Sequence, residues 1–233
     1  MKTKLLYILM LHGLGIYVKK IISHFRVQSS MIITSEESEL LTKLDIDDEV
    51  ALTLKEATWQ PLHALYEVQM DDEDKYDMPP ALRGIKSVTD RSMSRDQVIN
   101  IVETLQGSSV FQGHHVFCCG RFGSDRNYYL AVIKTNDQFQ SLKIFETSGI
   151  NYNLYTDDII AFLQHWQQKV EFSIMEVDHD RVVIQLQHLD FDLELFSKEA
   201  LELCPDFLSS VSDAQELKKY ITERNGQVDF WWD

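Results

Sequence analysis

The chain of 233 residues lacks several features that would have assigned it to a class at once. It has three cysteines, an odd number with two of them adjacent at Cys118 and Cys119, so it carries no disulfide framework and fits a reducing compartment. No apolar run approaches the roughly 20 residues that a membrane-spanning helix needs; the longest uninterrupted one is 5–11. Bases are scarce, with 22 Lys and Arg against 37 Asp and Glu, and no basic patch offsets the net charge of −15, which excludes a phosphate backbone as partner. Nor is there a G-x-S-x-G, an H-E-x-x-H or an EF-hand loop. What is there is an ordinary globular composition, 44% hydrophobic and 25% charged, in a chain long enough to bury a sizeable core.

Charge divides the chain. Residues 1–30 carry Lys2, Lys4, Lys19, Lys20 and Arg26 and no acid, leaving 17 bases against 37 acids in 31–233, a balance of −20. The first thirty residues are expected to be a basic, apolar leader outside the fold, with Met31 as an alternative start. Their outline also fits an export signal, although Lys19 and Lys20 follow the apolar stretch at once and no A-x-A site appears. Three segments are therefore expected: the leader, an α+β segment over 31–90 with an acidic loop at 71–83, and a main domain over 91–233.

Along the body, Thr34 with Glu37 and Ser94 with Gln97 form capping boxes that predict helices from about residue 35 and over 95–106. Alternation at Val50, Leu52 and Leu54 predicts a strand that could pair with an extended stretch at 62–70. The runs 115–119, 128–135 and 142–147, separated by turn signals, predict an antiparallel meander. Thr156 is read as a helix cap, 171–177 and 181–187 as a hairpin around Asp178-His179-Asp180, and 191–203 as a helix ended by Cys204-Pro205. Ser212 with Gln215 opens a last helix, and a strand at 228–232 follows Asn225-Gly226. The fold class is α+β, a mainly antiparallel sheet with helices packed on one face and a C-terminal helix followed by a short final strand.

The candidate chemistry is thin. His114, His115, Cys118 and Cys119 are metal-ligand types, but alternation on a strand parts them onto two faces, so no metal is assigned. Cys204 at a helix C-terminus is expected to be a buried thiol, and Gly120-Arg121-Phe122-Gly123 a plain turn. The paired acids lie at turns and helix starts, so no catalytic residue or cofactor is assigned. The unusual feature is Phe230-Trp231-Trp232-Asp233: the two tryptophans face opposite sides of a strand, so one fills the core and one stays at the rim, beside an acid suited to a basic side chain.

Thr147-Ser148-Gly149-Ile150-Asn151-Tyr152, Thr156-Asp157-Asp158-Ile159-Ile160, the hairpin, Leu203-Cys204-Pro205-Asp206 and the terminal Trp231-Trp232-Asp233 come in the order found in the bacterial family "domain of unknown function 4253". From roughly residue 140 onward the chain resembles that family. The resemblance implies a small α+β domain of the bacterial cytoplasm and no reaction, and it suggests that Asn151, Tyr152, Asp206, Trp231, Trp232 and Asp233 converge. With the charge, these residues lead to an expectation of a non-enzymatic acidic binding protein, immunity-like or regulatory, whose partner is a basic protein. The alternatives are an enzyme using Asp206, Tyr152 or His179 at the sheet edge, and a module that homodimerises through an edge strand; the oligomeric state is left open.

Overall fold

The computed structural model describes residues 32–67, 79–120 and 127–233. The expected leader, most of the acidic run and the GxxG loop beyond Gly120 lie outside the described residues.

Helix α1 (Ser35–Leu44) opens on the reciprocal cap that the sequence predicts, with Thr34 Oγ1 accepting from Glu37 N–H and Glu37 Oε2 accepting from Thr34 N–H. Residues 48–58 are helix α2 (Asp48–Thr58), not the strand expected at 50–54. Val50, Ala51 and Leu54 are its buried face, and Asp48 and Glu49 sit in its first turn where the macrodipole favours acids. Alternation over five residues is too short to separate the two periods. Strand β1 (His63–Tyr66) therefore pairs with β2 (Leu82–Val88), a strand that the sequence reading placed partly in a loop.

Helix α3 (Arg95–Gln106) begins at the predicted Ser94 and Gln97 cap. Strands β3 (His115–Cys119) and β4 (Tyr129–Ile133) pair antiparallel as expected. The third arm of the meander is instead a short helix, α4 (Gln140–Ile144), which follows a turn held by Phe139 N–H donating to Asp137 Oδ1 and buries Leu142 and Ile144, with Phe139 and Phe145 buried at its two ends. Helix α5 (Thr156–Gln167) is capped one residue earlier than expected, by the bond from Tyr155 N–H to Asp158 Oδ2.

Strands β5 (Phe172–Asp178) and β6 (Arg181–Leu186) form the predicted hairpin. Helix α6 (Leu193–Leu203) ends at Cys204, a 3-10 turn follows over Pro205–Ser209, and α7 (Ala214–Glu223) precedes β7 (Gln227–Trp231). The cap of α7 is Asp213 accepting from Glu216 N–H, while Ser212 gives both its N–H and its hydroxyl to Glu216 Oε2.

Among the described residues seven strands make one sheet in the order β1-β2-β4-β3-β5-β6-β7, with only β3 and β5 parallel, which is the α+β class expected. The layering differs from the expectation of helices on one face. Every residue of β3 is buried, and a strand buried on both sides needs cover on both. Val116 and Cys118 pack with Leu54, Val98 and Val102 from α2 and α3, whereas Phe117 and Cys119 lie in a second cluster with Leu163, Trp166, Phe196 and Leu217 from α5, α6 and α7.

Candidate functional site

The β5–β6 turn at His179-Asp180 organises one end of the sheet. Thr147 Oγ1 donates to Asp178 O at 2.7 Å, Ser148 N–H to His179 O at 2.8 Å and Trp232 N–H to Asp180 O at 3.0 Å. The loop after α4 and the end of β7 thus hang on the same turn. The Trp232 indole donates from Nε1 to Leu203 O at 3.0 Å and lies against Gly149, where an added Cβ would stand 2.7 Å from its Cδ1. Cys204 donates from Sγ to Trp231 O at 3.1 Å. Asp206 joins the two loops to the last residue, accepting from Tyr152 Oη at 2.6 Å through Oδ1 and from Asp233 N–H at 2.9 Å through Oδ2.

The sequence-predicted residues therefore meet in part. Tyr152, Asp206, Trp232 and Asp233 form one hydrogen-bonded and packed constellation. Trp232 is buried at 3% exposure while Trp231 is 36% exposed on the other side of β7, the split that alternation predicts. Asn151 is exposed in the 3-10 turn Ile150–Tyr152, and its side chain forms no hydrogen bond among the described residues. The Tyr152 phenol is raised above its ordinary pKa, chiefly because Asp206 holds its proton in a hydrogen bond. Ile150 and Leu208, two residues from Tyr152 and Asp206, are exposed at 61% and 56%, so this edge presents apolar groups beside carboxylates.

A partly buried ionic network beside the same strand, centred on the buried Glu176, is not among the sequence-predicted residues. Arg95, the first residue of α3, donates from Nε to Glu176 at 2.6 Å and from Nη1 to Asp229 at 2.5 Å. Arg181 Nε lies 3.5 Å from Asp229 Oδ1 without a hydrogen bond, and its guanidinium is 5.8 Å from the centre of the Trp231 ring. Burial raises Glu176, and the Arg95 charge opposes that rise. The available signal was a charged residue inside an apolar strand, Glu176 after Ile174-Met175 and Asp229 between Val228 and Phe230.

Two cavities flank β6 and β7. One, of about 180 Å³, lies beside Trp231 with Arg181, Asp206, Tyr220 and Asp229 among its walls. The other, an open polar groove of about 700 Å³, lies at the far end of the same strands between α3 and Arg224.

The remaining candidates are placed as follows. Cys118 and Cys119 point to opposite core clusters, and burial pushes both thiols up, Cys119 to about 12. Burial likewise lifts Cys204 to about 12. His115 is buried, stacked on Phe117 at 5.1 Å and pushed down to about 4 by burial. Asp178, His179 and Asp180 bring their ligand atoms within 4.8 Å of one another, and the hydrogen bond to Asp178 raises His179. Among the described residues no helix is long and apolar enough to cross a membrane.

The loops that meet at Asp206 are those that carried the resemblance, and the family comparison agrees. Residues 129–233 match the family described as "Domain of unknown function (DUF4253)". Searches of curated proteins and of solved structures find no match. The DUF4253 match starts at the first residue of β4 and takes in every member of the Tyr152, Asp206 and Asp233 constellation, together with Glu176, Arg181 and Asp229. Arg95, which holds Glu176 and Asp229, comes from outside the DUF4253 stretch.

Proposed function

We propose that the protein is a non-enzymatic acidic binding protein of the bacterial cytoplasm, immunity-like or regulatory, that engages a basic protein through the edge formed by β7 and the loops at 147–155 and 203–210. The observation that carries this reading is the meeting of Tyr152, Asp206 and Asp233 next to the exposed Ile150, Leu208 and Trp231. Apolar and aromatic groups rimmed by carboxylates suit a surface that desolvates against a partner while its rim attracts cations. A net charge of −15 speeds such an encounter with a basic surface at low salt and repels nucleic acid. Both Asp206 oxygens are already engaged, which favours a role in holding the edge rigid over one in proton transfer.

The test is affinity capture from a bacterial lysate by the full chain and by the variant Leu208→Asp, at low and at high salt. The reading expects basic proteins to be retained by the parent chain at low salt, released by high salt, and poorly retained by L208D. Retention of acidic proteins, or equal retention by parent and variant, contradicts it.

A further inference from the structure

We infer that the cavity beside Trp231 is an arginine-reading pocket, the point at which the basic partner inserts one guanidinium; this rests on the reading of the β7 edge as a surface for basic proteins. At about 180 Å³ the cavity falls below the roughly 300 Å³ at which sites for small molecules begin, and it matches the head of a single side chain. Its walls are formed by the half-open Trp231 together with Tyr220, Asp206, Asp229, Ser209 and Ser210. A flat aromatic face with acceptors around it is the complement of a planar cation that donates in several directions.

The charge count sets the sign of the ligand. The pocket holds Asp206 and Asp229 against the single cation Arg181, and the neighbouring Arg95 is already shared between Glu176 and Asp229. An anion would meet two carboxylates. Asp229 Oδ1, closed off from solvent, accepts no hydrogen bond among the described residues, and Arg95 Nη2 and Arg181 Nε are likewise buried and unpaired. The sign of the ligand therefore rests on the charge balance of the walls, two carboxylates against one guanidinium. Arg181 itself, 5.8 Å from the Trp231 ring centre, shows that a guanidinium is compatible with this indole, which is 36% exposed. Lysine, a compact ammonium, would gain the charge but neither the stacking nor the fork of donors.

The experiment is calorimetric titration of the full chain at low ionic strength with a tetra-arginine peptide and with a tetra-lysine peptide of equal charge, repeated on Trp231→Leu and on Trp231→Phe. The pocket predicts that tetra-arginine binds about tenfold more tightly than tetra-lysine, that W231L removes the difference, and that W231F keeps part of it. Circular dichroism of each variant establishes that it is folded, and Trp231 is exposed enough for the fold to tolerate both changes. Equal binding of the two peptides, unaltered by W231L, overturns the arginine pocket while leaving the acidic edge as a binding surface. Binding of neither peptide overturns the pocket and the reading beneath it.

Discussion

Gly149 has no side chain because Trp232 occupies the place where one would go: a Cβ there would stand 2.7 and 2.9 Å from two indole carbons. Gly149→Ala is expected to destabilise the fold by about 1–3 kcal/mol through overpacking, read as a lower urea midpoint at unchanged slope. The same scale shows what a single residue can disclose in sequence. Alternation was enough to assign Trp231 to the rim and Trp232 to the core, since that depends only on neighbours. It could not supply Asp206 as the acceptor for Tyr152 and Asp233, which lie 54 and 27 positions away.

His115 gives a prediction in pH. Its ordinary pKa is 6.5 and burial lowers it to about 4, so between these values the unfolded chain takes up a proton that the native chain does not. Stability must fall as pH drops through this window, by roughly 3 kcal/mol over its full width. His115→Leu is expected to flatten the part of the stability curve between pH 6.5 and 5 relative to the parent chain, measured by urea denaturation. An unchanged slope in H115L would show that His115 is not the group responsible.

At the scale of elements, α1, α2 and the approach to β1 are joined by one buried ion pair. Lys55 on α2 donates to both oxygens of Glu37 on α1, at 2.7 and 2.6 Å, and to Ile32 O, while Glu37 also accepts from Leu62 N–H. Exposures of 1% and 5% place the pair out of water. Burial alone would raise the Glu37 carboxyl, but the bonds from Leu62 N–H, Lys55 and Thr34 N–H outweigh it and hold it below its ordinary range. It therefore contributes stability above that range, which is lost as pH falls through the lowered value. Lys55→Met is expected to cost about 3–5 kcal/mol, because a buried carboxylate is left without its cation, with loss of stability measured by urea denaturation. These elements were half legible. The capping boxes of α1 and α3 are local and mark the true helix starts, whereas the apolar residues of α2 also fit a strand and those of α4 the third arm of a meander. In both cases a few apolar residues satisfied two periods, and packing against the sheet decided between them.

At the scale of the whole molecule, sheet order constrains what can stand alone. The DUF4253 match covers β4, β5, β6 and β7, yet β4 and β5 do not pair with each other, because β3 from outside the match lies between them. A fragment of residues 129–233 would also lack Arg95, the cation that hydrogen-bonds both Glu176 and Asp229. Such a fragment is expected to give the circular dichroism and narrow amide dispersion of an unfolded chain, and a folded spectrum would contradict this. The class and the hairpin were legible from the sequence; the two-sided helical cover was not, since it depends on which strands come to lie in the middle of the sheet.

The overall charge first singled out by composition acts on any basic molecule, so it is the location of contact that distinguishes a site from a diffuse field. The most direct measurement is amide and indole chemical-shift mapping of the full chain titrated with tetra-arginine. The account predicts shifts confined to 150–155, 204–211 and 229–233 and to Arg181 and Tyr220, with the Trp231 indole among the largest. Shifts spread evenly over the acidic surface, or centred on the groove between α3 and Arg224, would contradict it.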